Sequence, residues 1–314
     1  MMERLRRVLV VGGTHGNERN APWLLEHWRQ DPARLRSAGL EPVFVLGNPQ
    51  AWSGNQRYVE RDLNRCFSEA LLQDSSVQAL EVRRARQLLE QYGPDGREPC
   101  AVAIDLHSTT SAMGNCLVVY GRRPADLALA AGIQARLGLP IYLHEGDASQ
   151  TGFLVERWPC GVVLEVGPVP QGVVQASICR HTQLGLEAAL AVLGQARSGQ
   201  LRLPAALVVH RHLRSLDLPR RPDGSPLACI HPQLQSRDWR PLPPGAPVFL
   251  GPDGEVIRFE PLPDQEPQVA VFINEAAYGE KGIALSLTRR EVWPVPPEWS
   301  EALEACASTL AGAA

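Results

Sequence analysis

A histidine and a glutamate stand three residues apart in Val11-Gly-Gly-Thr-His15-Gly-Asn-Glu18, directly behind a short apolar run. On a turn leading into a helix, that spacing can aim an imidazole and a carboxylate at one point, and both are zinc-donor types. Gly12, Gly13 and Gly16 let the backbone fold tightly around that point. A His-x-x-Glu pair is common on solvated surfaces, so its weight comes from the glycine-rich context and from further donors later in the chain.

A catalytic zinc site needs a third protein donor and keeps a position open for water. Ala101-Val-Ala-Ile-Asp105-Leu-His107-Ser-Thr-Thr110 supplies one in His107, at the end of an apolar run. Asp105 lies two residues earlier and shares its side of an extended strand, where it can orient a donor. By itself, His107 reads more readily as a hydrogen-bonded structural histidine. Gly161-Val-Val-Leu-Glu165-Val-Gly-Pro168 then carries a carboxylate inside an apolar strand. Burying that charge is costly unless it is paired, metal-bound or functional, and a zinc hydrolase needs a general base. An ion pair with an arginine across a domain boundary is the structural alternative.

Arg57-Tyr-Val-Glu-Arg61-Asp62-Leu-Asn64-Arg65-Cys-Phe67 holds three arginines within nine residues. Arginine makes two-pronged hydrogen bonds to carboxylates, so Asn64 and Arg65 can clamp one. Arg57 can polarise a carbonyl oxygen as charge builds there. A charged surface loop in which Glu60 and Asp62 pair locally is the other possibility.

These residues need elements to position them. Residues 7–11, 42–47, 100–106, 116–120 and 161–166 read as strands. They are short and valine-rich, and several lack alternation, which suits strands buried on both faces. Helical patterns lie between them. Residues 20–30 open on Asn20 as N-cap. Residues 76–92 run under Ser76, with Val77, Leu80, Leu88 and Leu89 as the apolar stripe. Residues 124–137 start at Pro124 and stop at Gly138, and residues 174–196 form the longest pattern. Strand and helix in alternation imply an α/β layer architecture with a mostly parallel or mixed sheet.

Composition shifts near Pro204: of 27 prolines, 16 fall between 204 and 314. Proline is poorly tolerated inside helices, so short strands and turns are expected there, with a hairpin around Asp253-Gly254. The expected division is residues 1–204 as the catalytic unit and 205–314 as a smaller β-rich unit.

The 314 residues are 44% apolar and 21% charged, with a net charge of -3, as in an ordinary globular protein and unlike a general nucleic-acid binder. No apolar run is long enough to span a bilayer. The basic-then-apolar start, MMERLRRVLVVGG, reads as a first strand rather than an export signal, which makes the cytosol the expected location. Seven scattered cysteines with no Cys-x-x-Cys pair argue against a disulfide framework. Cys100, Cys116, Cys160 and Cys179 sit in or beside apolar runs and are expected to be buried.

Taken together and in order, GGTHGNE, RDLNRCF, DLHSTT, EVGPVPQG and the late segment Phe272-Ile-Asn-Glu275-Ala-Ala-Tyr278 resemble the aspartoacylase family. That family belongs to a zinc carboxypeptidase-like group that includes succinylglutamate desuccinylases. The resemblance runs from the first strand to about residue 285. It implies one zinc ion per subunit held by His15, Glu18 and His107, Glu165 as general base and Arg57 at the oxyanion. It also implies Asn64 and Arg65 on the substrate α-carboxylate and Tyr278 as a further substrate contact, with Glu275 in the same segment. The implied fold is a zinc carboxypeptidase-like mixed sheet flanked by helices, plus a smaller β-rich C-terminal domain that narrows the active-site channel. The implied reaction is hydrolysis of an N-acyl amino acid, with N-acetyl-aspartate expected first. A homo-oligomer, dimer or higher, is expected, with no nucleic-acid or membrane partner. The stretch from Glu145 to Trp158 departs from the pattern. Animal-type aspartoacylases carry an arginine ahead of the glutamate strand that reads the aspartate side chain. Here that stretch has no arginine at the matching place, Arg157 being only nearby. The related type III aminoacylases also lack it and prefer acylated aromatic amino acids and mercapturates.

Overall fold

The computed structural model describes residues 7–147, 150–263 and 267–310. Its strands are β1 (Arg7–Gly12), β2 (Pro42–Leu46), β3 (Cys100–Ser108), β4 (Asn115–Tyr120), β5 (Ile141–His144), β6 (Cys160–Val166), β7 (Ala206–Leu216), β8 (Cys229–Ile230), β9 (Arg240–Leu242), β10 (Pro247–Leu250), β11 (Val256–Arg258), β12 (Gln268–Val271) and β13 (Leu285–Pro294). Its helices are α1 (Asn20–Gln30), α2 (Pro49–Ser53), α3 (Glu69–Gln73), α4 (Leu80–Tyr92), α5 (Pro124–Leu137), α6 (Ala176–Arg197) and α7 (Pro297–Ala307). Among the described residues no helix is long and apolar enough to cross a membrane.

One mixed sheet organises the molecule, in the order β2-β1-β3-β6-β4-β5-β7-β13-β12-β9. Strands β2, β1, β3 and β6 are mutually parallel, β4 runs against β6, and β7, β13, β12 and β9 are antiparallel. Both faces of the central strands are covered. Val8 and Val10 enter one core cluster with α1, α5, α6 and α7, while Leu9 and Val11 enter the other with α4. The same alternation separates Val102, Ile104 and Leu106 from Ala103, and it explains why these strands read as unbroken apolar runs. The expected α/β class with a mixed sheet, flanking helices and a β-rich C-terminal part is what the chain adopts.

Residue 204 falls in the connection between α6 and β7. Beyond it, β7 extends the same sheet by pairing with β5, and β8, β10 and β11 form a separate small sheet over their own apolar cluster. The expected hairpin forms between β10 and β11, with Gly254 at φ +83° supplying the turn.

Four local expectations need correction. Asn20 does not cap α1; its side chain crosses to the carbonyl of Val173 and the amide of Gln175. Ser76 does not start α4. It closes a turn on Asp74, and the helix begins four residues later at Leu80. The buried face of α4 is Glu81, Val82, Ala85 and Leu88, rather than the stripe through Val77 and Leu89. The proline-rich tail ends in a helix: Pro297 occupies the first turn of α7, where a missing N–H costs nothing, and Leu303 and Ala307 pack with α5 and α6. Cys100, Cys116, Cys160 and Cys179 are buried and unpaired, as expected.

Trp158 joins the second cluster to the sheet. It is buried, its Nε1 donates to the carbonyl of Tyr92 at 2.9 Å, and its ring lies 6.5 Å from that of Phe67. Trp158→Ala is expected to lower unfolding free energy by about 3–5 kcal/mol, measured from the shift of the urea midpoint. A loss below about 1 kcal/mol would show that the cluster repacks around the gap.

Candidate metal centre and substrate pocket

The C-terminal ends of three adjacent parallel strands build the site. The turn after β1 carries His15 and Glu18, the end of β3 carries His107, and the end of β6 carries Glu165. Because β3 and β6 pair in register, His107 and Glu165 stand side by side on neighbouring strands. The turn after β1 is held close. Gly13 sits at φ +71°, and a Cβ on Gly16 would lie 2.1 Å from the backbone of Ala51, so α2 packs directly against the segment between His15 and Glu18.

His15, Glu18 and His107 are buried, and their donor atoms all lie within 4.8 Å of one another. The Glu18 carboxylate is 2.6 Å from His15 Nδ1 and 3.1 Å from His107 Nδ1, and it accepts the Ser108 amide at 2.9 Å. The far nitrogen of each ring is backed by a buried acid: His15 Nε2 lies 3.0 Å from Asp62, and His107 Nε2 lies 2.8 Å from Asp105. Asp105 in turn accepts the Thr14 hydroxyl at 2.7 Å. A carboxylate behind each imidazole fixes ring orientation and makes the inner nitrogen a better donor.

Acids outnumber bases here: Glu18, Asp62, Asp105, Glu165 and Glu275 face Arg57, Arg65 and Lys281. Burial opposes charge on Glu18, yet attraction to His107 and His15 holds its carboxyl below the usual range. Burial likewise opposes charge on His107, but Asp105 and Glu18 raise it well above an ordinary histidine. For Glu165, burial and the repulsion of Glu18 and Glu275 outweigh His107 and Arg57 and push its carboxyl well up. A donor set of two imidazoles and a carboxylate with an excess of buried acid suits a divalent cation, and zinc in particular.

These residues open into one pocket of about 640 Å³, its mouth included. Arg57 lines it beside the metal donors, 3.1 Å from Asp62 and 3.6 Å from Glu18. Asn64 and Arg65 follow on a 3-10 turn. The Asn64 side chain accepts the Leu154 amide at 2.9 Å, while Arg65 donates to Gln150 at 2.8 Å and lies over the Phe153 ring. Tyr278 enters from the 3-10 turn Ala276–Lys281, and burial pushes its hydroxyl far above the normal range. Glu275 fastens that turn by accepting from Thr109, Thr110 and Ser111, just past β3. The remaining wall includes Tyr120, Tyr142, His144, Phe153 and Phe272.

The succinylglutamate desuccinylase/aspartoacylase catalytic-domain model matches residues 4–193, and the AstE/AspA barrel-sandwich hybrid domain model matches residues 205–290. The chain belongs to this family. It is 60% identical over 297 residues to a "Probable aspartoacylase" of Parasynechococcus marenigrum, covering 95% of this chain and 97% of that one. It is 58% identical over 298 residues to one of Prochlorococcus marinus, with 95% and 97% covered. The solved structure of murine aminoacylase 3 superposes with a TM-score of 0.80 at 34% identity, covering 94% of this chain and 99% of that one. A succinylglutamate desuccinylase from Vibrio parahaemolyticus, at 15% identity and a TM-score of 0.59 over 92% and 83% of the two chains, shares the fold.

Nine residues singled out from the sequence line this one pocket in the family fold: His15, Glu18, Arg57, Asn64, Arg65, His107, Glu165, Glu275 and Tyr278. Arg157 does not; it pairs with Glu69 at the surface. Ala148 and Ser149, in the stretch that would carry a side-chain arginine, lie outside the described residues. The sequence offered Asp62 as an acid pairing locally in a charged loop; it does pair with Arg57, but it also reaches His15 and Lys281. The signal was its place four residues before Cys66 in an arginine-rich run, which is too common to read alone. The pocket wall on β4 and β5 was also missed, since β5 has only four residues.

Replacing Asp62 by Asn keeps the size of the side chain and removes the charge behind His15. Zinc affinity of Asp62→Asn is expected to fall by about 10- to 100-fold, read by competition with a fluorescent chelator. An unchanged dissociation constant would mean that His15 is oriented without this acid.

Proposed function

We propose that the protein is a zinc-dependent amidohydrolase that removes the acyl group from N-acyl amino acids, with N-acetyl-aspartate as the first substrate. The observation that carries this reading is the convergence of His15, Glu18 and His107 donor atoms within 4.8 Å, beside the Glu165 carboxylate in one pocket. The curated relatives named as probable aspartoacylases agree with it. We also propose the division near residue 204, with the second unit narrowing the channel through Tyr278.

His15, Glu18 and His107 would hold the zinc ion, which when bound would supply positive charge to acidify a water and polarise an acyl carbonyl. Among the described residues, no hydrogen bond to another side chain engages the Glu165 carboxylate, which leaves it available to a proton. Its raised proton affinity suits a group that takes the proton of the attacking water and hands it to the leaving amine nitrogen. Arg57 stays charged because Asp62 and Glu18 offset its burial, and it faces the point where negative charge develops on the carbonyl oxygen. Asn64 and Arg65 bind the substrate α-carboxylate, which holds the scissile amide beside Glu165.

A second reading concerns the side chain. The wall beyond Arg65 is aromatic, with Tyr120 stacked on Phe153 at 3.7 Å. Its imidazole, His144, resists protonation: burial and then His212 push it down to about 4. Among the described residues lining the pocket, the arginines are Arg57 and Arg65. An uncharged wall favours acylated aromatic amino acids or mercapturates over a second carboxylate.

Two measurements separate these possibilities. Glu165→Ala is expected to keep stoichiometric zinc and lose about 10²–10⁴ in kcat; full turnover in that variant would remove Glu165 from the mechanism. Comparing kcat/KM for N-acetyl-aspartate, N-acetyl-glutamate and N-acetyl-phenylalanine decides the side chain. A preference for the phenylalanine compound would replace the first reading with the second.

A further inference from the structure

We infer that Glu81, which neither lines the pocket nor reaches the metal donors, is the positioning residue that holds Arg57 and Asp62 in place. This rests on the proposed role of Arg57 and goes one step behind it. Glu81 is fully buried in the first turn of α4, and among the described residues no lysine or arginine pairs with it. Its charge is met by N–H groups alone. One carboxylate oxygen accepts the Val59 amide at 2.7 Å and the Asn48 side chain at 3.1 Å. The other accepts the amides of Glu60 at 3.2 Å and Arg61 at 3.0 Å.

Those three amides are consecutive, and they sit between Arg57 and Asp62. The loop forms no strand or helix there, so a single carboxylate answers for its backbone donors. The clasp closes from the other side as well: the Glu60 carboxylate accepts the Leu80 amide at 2.6 Å. The helix end fixes Glu81, since Val82, Ala85 and Leu88 on the same helix lie in the core and the N-terminal turn favours a negative side chain. Asn48 extends the hold to the metal turn. Its own amide donates to Gly13 at 2.9 Å, while Gly16 donates to the Arg57 carbonyl at 3.1 Å.

Asn64 and Arg65 are anchored separately, on Leu154, Gln150 and Phe153. Loosening the Glu81 clasp therefore displaces the groups that act on the carbonyl and the metal ligand, and leaves the carboxylate clamp standing. That predicts a split between kcat and KM which a general loss of stability does not produce.

The test uses the full-length, zinc-loaded protein. Glu81→Gln keeps volume but turns an amide NH2 toward peptide N–H donors, and Glu81→Asp keeps the charge on a shorter arm. Hydrogen exchange at the amides of residues 59–61 is read first, then kinetics on the best N-acetyl amino acid at saturating zinc. Glu81→Gln is expected to lose exchange protection at those amides and to drop kcat by about 10- to 100-fold, with KM moving less than about threefold. Glu81→Asp should fall between it and the parent. If Glu81→Gln does not fold, Glu60→Ala opens the clasp from the exposed side and should shift both readouts in the same direction. Unchanged kcat despite lost protection, or a KM that rises as far as kcat falls, overturns the inference. If the parent protein hydrolyses no acylated amino acid, the proposed function fails, and the exchange measurement alone decides whether Glu81 holds the loop.

Discussion

The site depends on keeping several carboxylates together in a nearly dry place. Glu18 lies between two imidazoles, each ring has an acid behind it, and Glu165 sits on the next strand. An isolated buried carboxylate would take up a proton or draw in water. Here the oxygens of Glu18, Asp62 and Asp105 each meet an imidazole, a guanidinium, an ammonium, a hydroxyl or a peptide N–H, and the excess negative charge favours a divalent cation. The same excess makes each surrounding hydrogen bond costly to remove, because the acid left behind has no alternative partner.

The fold supplies this convergence by a simple device. Parallel strands bring their C-terminal ends to one edge, so β1, β3 and β6 deliver residues separated by some 150 positions in the chain to a single point. Cover comes from elsewhere. Glu275 draws the C-terminal segment onto the hydroxyls after β3, and Lys281 from the same turn reaches Asp62 at 3.1 Å. The segment that carries Tyr278 is thus tied to both the β3 edge and the arginine loop. The Tyr278 turn and the acid behind His15 share one network, and charge changes in either part are felt in the other.

Residue type and local order were enough to single out residues that converge on one pocket, and five motifs in sequence named the family. The strands were legible because burial on both faces leaves valine-rich runs with no polar interruption, and Gly138 at φ +66° stops α5 where the sequence says it should. Errors fell where a residue's partner is distant. Asn20 looked like a helix cap, but its side chain serves a loop more than 150 residues away. Glu81 occupies a core phase of α4 with Ala85 and Leu88, yet a glutamate in a helix reads as solvent-facing until its four donors are seen.

What the amino-acid order determined by itself was therefore chemistry and local shape: which atoms can bind a cation or move a proton, and where the chain must turn or run straight. Only the tertiary structure decided which acid stands behind which imidazole, that aromatic rings line the pocket beyond Arg65, and that Arg157 stays outside it. The physical reason is range. Backbone preferences and hydrophobic periodicity act over a few residues, whereas charge pairing and desolvation depend on neighbours that meet only after the sheet has formed.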